Sequence, residues 1–247
     1  VNLTQQTILL TGAGSGIGLA LAERLHAAGN TVLICGRDAA KLQAAAERLP
    51  GLRTLVCDVA QAAERQRLVE WATAECPEVN VLLNNAGIQR TVDVVETSES
   101  WADTAAEIAI NLEAPIHLAL LLIGYWHARR AAAPVIINVS SGLGFVPLAR
   151  VPVYSATKAA LHSFTQSLRQ QLAGSPAQVI EIIPPAVHTE LGGTDHSHGV
   201  PLAEYADDVM WQLAAGHLEI AYGFSAKASQ ASRPELDALF QQLNSAQ

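Results

Sequence analysis

The chain has 247 residues, half of them hydrophobic and 15% charged, with 17 Gly and 11 Pro; at ~100–200 residues per domain it can bury a substantial core, which excludes a disulfide miniprotein and a disordered chain. Lys and Arg number 15 against 23 Asp and Glu, a net charge of −8, so no basic excess exists to neutralise a phosphate backbone, and neither nucleic acid nor an anionic membrane is an expected partner.

Short runs rich in Val, Ile and Leu alternate with longer Ala-rich segments of helical period, the pattern of repeated βα units around a parallel sheet. Strands are expected near Thr7–Thr11, Thr31–Cys35, Arg53–Cys57, Val81–Asn84, Val135–Ser140, Val179–Ile183 and Glu219–Tyr222. Helices fall near Gly16–Ala28, Ala39–Leu49, Ala62–Glu75, Trp101–Arg129, Val153–Leu172 and Tyr205–Gly216, with a last amphipathic piece over Arg233–Leu243. Asp38 before Ala39 and Ser232 before Arg233-Pro234 match helix N-cap and first-turn preferences. No 20–50-residue period, low-complexity tract or linker divides the chain, so one α/β domain over 1–247 is expected. The least regular stretch, 188–201, suits a mobile substrate loop.

Three cysteines, Cys35, Cys57 and Cys76, form no CxxC or zinc-ligand spacing and fit a reducing compartment. Residues 1–6 lack the basic start and apolar stretch of a signal peptide, and the longest apolar run, Ile116 to Trp126, is interrupted by His117 and is shorter than the ~20 residues of a membrane span. A soluble cytoplasmic protein is the expectation.

After the first strand comes Thr11-Gly12-Ala13-Gly14-Ser15-Gly16-Ile17-Gly18, followed directly by a helical pattern. Glycines let backbone approach a pyrophosphate closely, and the free N–H groups of the helix start supply donors and partial positive charge. The competing reading is a tight turn with no ligand. Farther on, Tyr154 and Lys158 stand four apart in a helical segment, so both project from one face. A free phenol titrates near 10; an adjacent ammonium should favour the phenolate and bring it toward the range useful for proton transfer. The competing reading is a packed Tyr with a solvated Lys nearby.

Taken together, the chain resembles the short-chain dehydrogenase/reductase family over nearly all of its length. Thr11–Gly18 matches the family's TGxxxGxG, Asn84-Asn85-Ala86-Gly87 its NNAG and Tyr154–Lys158 its YxxxK, while Ser141 stands thirteen residues before that Tyr. Ile88-Gln89-Arg90 and Pro184-Pro185-Ala186-Val187 are similar to a bacterial branch of DltE-like oxidoreductases. The resemblance implies a Rossmann-type doubly wound parallel sheet of about seven strands with helices on both faces. It also implies reversible hydride transfer between a nicotinamide and a carbonyl or secondary alcohol, with Tyr154 exchanging the hydroxyl proton. Ser141, at the carboxyl end of the fifth strand, can stabilise the developing oxyanion; the family spacing favours it over Ser140. Asn111 matches a helix Asn whose family role is to hold a water joining Lys158 to solvent; the alternative is an exposed side chain. A non-catalytic dinucleotide sensor of the same fold is the rival function, and its usual mark is loss of the Tyr or Lys.

The resemblance also implies a coenzyme site of Gly12, Ser15, Gly16, Ile17, Gly18, Arg37, Asp58, Val59, Asn85, Ala86, Gly87, Tyr154, Lys158, Pro184, Val187 and Thr189. No acid occupies Gly36 at the tip of the second strand, while Arg37 can bind a 2′-phosphate, so NADP(H) is favoured over NAD(H). Asp38 is better explained as a helix cap, and Ser15 stands where many NADP-dependent relatives carry a second basic residue. Asp58 has the alternative role of a cap for the 62–75 helix. Pro185 replaces the Gly of the family's PGxxxT, which removes an N–H and fixes φ.

A largely apolar small-molecule substrate is expected between Ser141, Leu143, Phe145, Val146 and Tyr154 and the loop from Leu191. Arg90 or Arg150 could hold an anionic group, although a solvated role fits each. His196-Ser197-His198 has no third ligand at suitable spacing, so no metal is expected. The apolar run Ile116–Tyr125 and the Val153–Leu172 helix are surfaces that relatives pair in a homodimer, often within a homotetramer; covering the sheet is their alternative role.

Overall fold

The computed structural model describes residues 3–95, 100–191 and 199–245. Seven parallel strands, β1 (Thr7–Thr11), β2 (Thr31–Gly36), β3 (Arg53–Val56), β4 (Val81–Asn84), β5 (Val135–Val139), β6 (Gln178–Ile183) and β7 (Glu219–Ala221), form one sheet in the order β3-β2-β1-β4-β5-β6-β7. The chain runs outward from β1 to β3 and then returns to place β4 on the other side of β1. The crevice beyond the carboxyl ends of β1 and β4 is therefore a topological switch point, where sheets of this kind bind ligands.

Both faces of the sheet are apolar because both are covered. Ile8, Leu10, Val32, Ile34, Ile180 and Ile182 pack toward α1 (Gly16–Ala27), α2 (Ala39–Arg48) and α7 (Leu202–Ala215). The alternate residues Leu9, Leu33, Leu82, Ile136 and Val179 face α3 (Ala62–Glu75), α5 (Ala114–Arg129) and α6 (Pro152–Leu172). All three cysteines are buried thiols. Asp38 caps α2 by accepting from Lys41 N at 3.1 Å, and Ser232 with Glu235 forms a capping box on α9 (Arg233–Asn244).

The sequence pattern misses three features. The expected helix over Trp101–Arg129 is α4 (Trp101–Ile108), a π-helical turn over Ala109–Glu113, and α5. Pro115 lacks the N–H that an unbroken helix would offer the Asn111 carbonyl, and Ala114 N reaches back to Ala109 O instead. By length and composition alone this 29-residue stretch could cross a membrane, which corrects the view that no segment is long enough; Leu118, Leu122 and Trp126 are buried against the protein's own core. Helix α7 begins three residues early because Pro201 fixes the entry to it, and α8 (Gly223–Gln230), whose Ala- and Ser-rich sequence carries no clear apolar stripe, is a helix the pattern does not reveal.

Candidate active site

The glycine turn leaves β1 and is stitched to the turn that leaves β4. Thr11 Oγ1 accepts from the N–H groups of Asn85 and Ala86, both at 3.1 Å, and Asn85 Nδ2 donates to Thr11 O and Gly12 O, both at 3.0 Å. Gly12 has φ +66°, and a Cβ there would lie 2.6 Å from Ala86 Cα, so no side chain fits. Gly16 opens α1 at φ +55°. Ser15, the N-cap residue, makes no side-chain capping bond, so the first N–H groups of α1 remain available to an anion.

From this turn a cavity of about 1260 Å³ runs along the switch point to Tyr154, more than the ~300–1000 Å³ of ordinary ligand pockets and suited to an extended dinucleotide with a substrate beside it. Gly12, Ser15, Gly16, Ile17, Gly18, Arg37, Asp58, Val59, Asn85, Ala86, Gly87, Pro184, Val187 and Thr189 all line it. Asp38 is occupied as the α2 cap, and Lys41, also in the wall, reaches across to Glu190 at 2.9 Å. Asp58 accepts from Ala60 N at 3.1 Å and braces the turn before α3, whose N-cap is Gln61; the helix-cap alternative for Asp58 does not hold. Pro184 O accepts from Gly142 N at 3.0 Å, which joins the end of β6 to the segment after Ser141. Val187, two residues before Thr189, pairs with Val200 in a short bridge; His196, His198 and half of the expected 188–201 loop lie outside the described residues.

At the far end of the cavity, Tyr154, Lys158 and Ser141 converge, all buried. Ser141 Oγ accepts from Leu143 N at 3.1 Å and stands near enough to the Tyr154 phenol to draw its pKa down. Lys158 Nζ donates to Val139 O at 2.8 Å and sits 5.5 Å from the Tyr154 ring centroid. The expectation that Lys158 brings the phenol pKa down is corrected, because burial outweighs it. Burial pushes Tyr154 up to about 12, the Ser141 hydroxyl opposes that, and the Glu107 charge adds to it. Burial also brings Lys158 down to about 8, against the pull of Glu107 and Glu181.

Asn111 does not line the cavity, nor is it exposed. Its side chain accepts from Ile88 N at 2.9 Å and donates to Ile88 O at 2.8 Å, and it reaches Thr157 Oγ1 at 3.3 Å. It thus ties the turn after β4 to α6. A Cβ built on Gly87 would lie 3.4 Å from Asn111 Oδ1 and 3.6 Å from Lys158 Nζ, so both side chains flank that glycine.

The substrate end is apolar. Tyr154 packs with Leu143, Leu148, Val151 and Leu243, and Leu191 closes one side. Phe145 and Val146 are corrections. Phe145 turns away to pack on His162, ring centroids 4.5 Å apart, and Val146 is fully buried against α8 and α9, because the short helical turn over Gly142–Gly144 points both residues inward. The walls that sequence reasoning missed come from α8 and α9: Phe224, Lys227, Leu239, Gln242 and Leu243. Arg90 is paired with Asp103 at 2.8 Å, whereas Arg150 lies on the cavity wall.

With this geometry, similarity to known proteins becomes informative. The short chain dehydrogenase family model matches residues 6–198. The uncharacterized oxidoreductase DltE of Bacillus subtilis (strain 168) is 42% identical over 250 residues, covering 99% of this chain and 98% of that protein. A short-chain dehydrogenase from Sphingobium yanoikuyae in complex with NADPH superposes with a TM-score of 0.80 at 26% identity, over 95% of this chain and 92% of that one. The 3-ketoacyl-(acyl-carrier-protein) reductase from Brucella melitensis complexed with NADH gives 0.79 at 25% identity, over 91% of this chain and all of that one.

Proposed function

This chain belongs to the short-chain dehydrogenase family and is an NAD(P)-dependent oxidoreductase; from that premise we propose that it interconverts a carbonyl and a secondary alcohol on a small, largely apolar molecule, with NADP(H) preferred over NAD(H). The observation that carries the reading is the meeting of Tyr154, Ser141 and Lys158 at the apolar end of the cavity that begins at the glycine turn. A bound nicotinamide coenzyme would supply the hydride. Gly12, Ser15, Gly16, Ile17 and Gly18 would hold its phosphates, with Asp58 and Val59 at the adenine, Asn85, Ala86 and Gly87 at a ribose, and Pro184, Val187 and Thr189 at the nicotinamide end.

The chain's own residues would handle the proton. With its pKa near 12, the Tyr154 phenol keeps its proton at neutral pH and acts as the acid in the reducing direction. Leu143 N occupies one lone pair of Ser141, leaving its O–H to donate toward a developing oxyanion. Lys158 is held by Val139 O close to the Tyr154 ring, where its ammonium would partly offset the burial that holds the phenolic proton in place. Leu143, Leu148, Leu191 and Leu243 exclude water and favour an apolar substrate body.

Preference for NADP(H) is supported by Arg37, which lines the cavity, and by Asp38, whose carboxylate is committed to capping α2. A homodimer or homotetramer through the outer faces of α5 and α6 is part of the same proposal; Leu120, 57% exposed on α5, is an apolar residue the sheet does not cover. The test is a panel of ketones and secondary alcohols followed by NADPH oxidation or NADP reduction. Turnover of apolar ketones with NADPH is expected, and a protein that binds NADPH yet reduces no ketone would overturn the proposal.

A further inference from the structure

Glu181 lies in the middle of β6, in the apolar run Val179-Ile180-Glu181-Ile182-Ile183, and is wholly buried. Strand alternation turns it to the α6 face, opposite to Ile180 and Ile182. Burying a carboxylate is costly unless its oxygens are hydrogen-bonded. Ser140 Oγ donates to Oε1 at 2.5 Å, and His162 Nδ1 lies 2.8 Å from Oε2 and 3.1 Å from Oε1. An ionised carboxylate only accepts, which assigns the His162 proton to Nδ1.

These contacts have a geometric consequence. The segment 140–145 carries Ser141 and Leu143. Its first residue is gripped by Glu181, and its last, Phe145, packs on the His162 ring at an interplanar angle of 56°. Both ends of the segment are thus held by one hydrogen-bonded pair. His162 is also one turn beyond Lys158 on α6, and Lys158 Nζ donates to Val139 O, the carbonyl just before Ser140. We propose that Glu181 is a positioning residue of the active site: through Ser140 and His162 it locks the Ser141 segment against the helix that carries Tyr154 and Lys158. This rests on the oxidoreductase reading of that site.

The charges around this contact set the sign of its pH dependence. Lys158 feels Glu181 from β6 and Glu107 from α4, and it neighbours Tyr154 on its own helix; both carboxylates favour the ammonium. His162 feels Glu181 and Glu219, which favour its protonation, and Arg169, which opposes it. Removing the Glu181 charge should therefore let Lys158 lose its proton at lower pH.

The test is Glu181→Gln, which keeps the shape and removes the charge. Lys158 is one of only three lysines, with Lys41 and Lys227, so its amine can be followed by NMR of ¹⁵N-lysine-labelled protein without any substrate. The expected result is a Lys158 titration displaced downward by about half a pH unit or more. With the best ketone of the panel, kcat should fall about 10- to 100-fold, its alkaline limb should move the same way, and the Kd for NADPH should stay within about twofold. Should that variant not fold, His162→Asn, at a partly exposed position, is expected to show the same loss of kcat with NADPH affinity retained. An unmoved Lys158 titration together with wild-type kcat would overturn the proposal, as would a fully active His162→Asn. A wild type that reduces no ketone refutes the reaction instead, and the lysine titration then decides the Glu181 contact alone.

Discussion

Lys158 stores a stability cost in the folded protein that a single substitution should release. Its pKa falls from an ordinary 10.5 to about 8 because the ammonium is buried, and at about 1.4 kcal/mol per pH unit the charged form is disfavoured by about 3 kcal/mol relative to the neutral amine. Between pH 8 and 10.5 the unfolded chain binds more protons than the folded one, so stability rises with pH across that window and the full cost is present below pH 8. Lys158→Met abolishes the titration. The unfolding free energy of Lys158→Met minus that of the wild type should therefore be larger at pH 7 than at pH 10.5 by about 3 kcal/mol, or about 6–12 °C in Tm for a chain of this size. Urea unfolding of the coenzyme-free protein at fixed protein concentration measures it. A difference between the two proteins that stays flat from pH 7 to 10.5 would refute the reasoning.

Tyr154→Phe should abolish ketone reduction while NADPH still binds, as read by turnover and by fluorescence titration; retained reduction in a pure preparation would remove Tyr154 from its role. Arg37→Ala should weaken NADPH binding about 10- to 100-fold and leave NADH nearly unaffected, the range expected for lost charge-assisted hydrogen bonds; an unchanged NADPH/NADH ratio of Kd values would contradict the preference. Gly12→Ala should lower Tm and weaken coenzyme binding, because φ is +66° and the added Cβ would sit 2.6 Å from Ala86 Cα. For ketone reduction, kcat should decline as pH rises through about 8, where Lys158 loses its charge, with a rate flat to pH 10 contradicting that link.

The parallel sheet was legible because strands covered on both faces are predominantly apolar, and β1 and β4 have the bounds the sequence pattern predicts. The glycine turn, Tyr154 and Lys158 were legible because their chemistry needs fixed local spacing. Phe145 was misplaced because proximity to Ser141 in sequence does not say which way a turn points it, and the Gly142–Gly144 turn sends it to His162. The α8 and α9 walls join the site only through tertiary packing: a Cβ on Gly142 would lie 3.3 Å from Phe224. The environment of Tyr154 is also a tertiary property, since local spacing shows the nearby ammonium and hides the burial that outweighs it. Glu181 did leave a signal, a lone charge inside a buried strand, and its partners Ser140 and His162 are brought to it by the fold.

The central claim is that the Tyr154 cleft delivers hydride from a reduced nicotinamide to a carbonyl carbon. NADPH carrying deuterium at the transferable C4 position, incubated with an apolar ketone and the protein, tests it by mass spectrometry of the alcohol. The account predicts one deuterium on the carbinol carbon with the wild type and no labelled alcohol with Tyr154→Phe. Labelled alcohol from both proteins, or coenzyme oxidation that leaves the alcohol unlabelled, would contradict it.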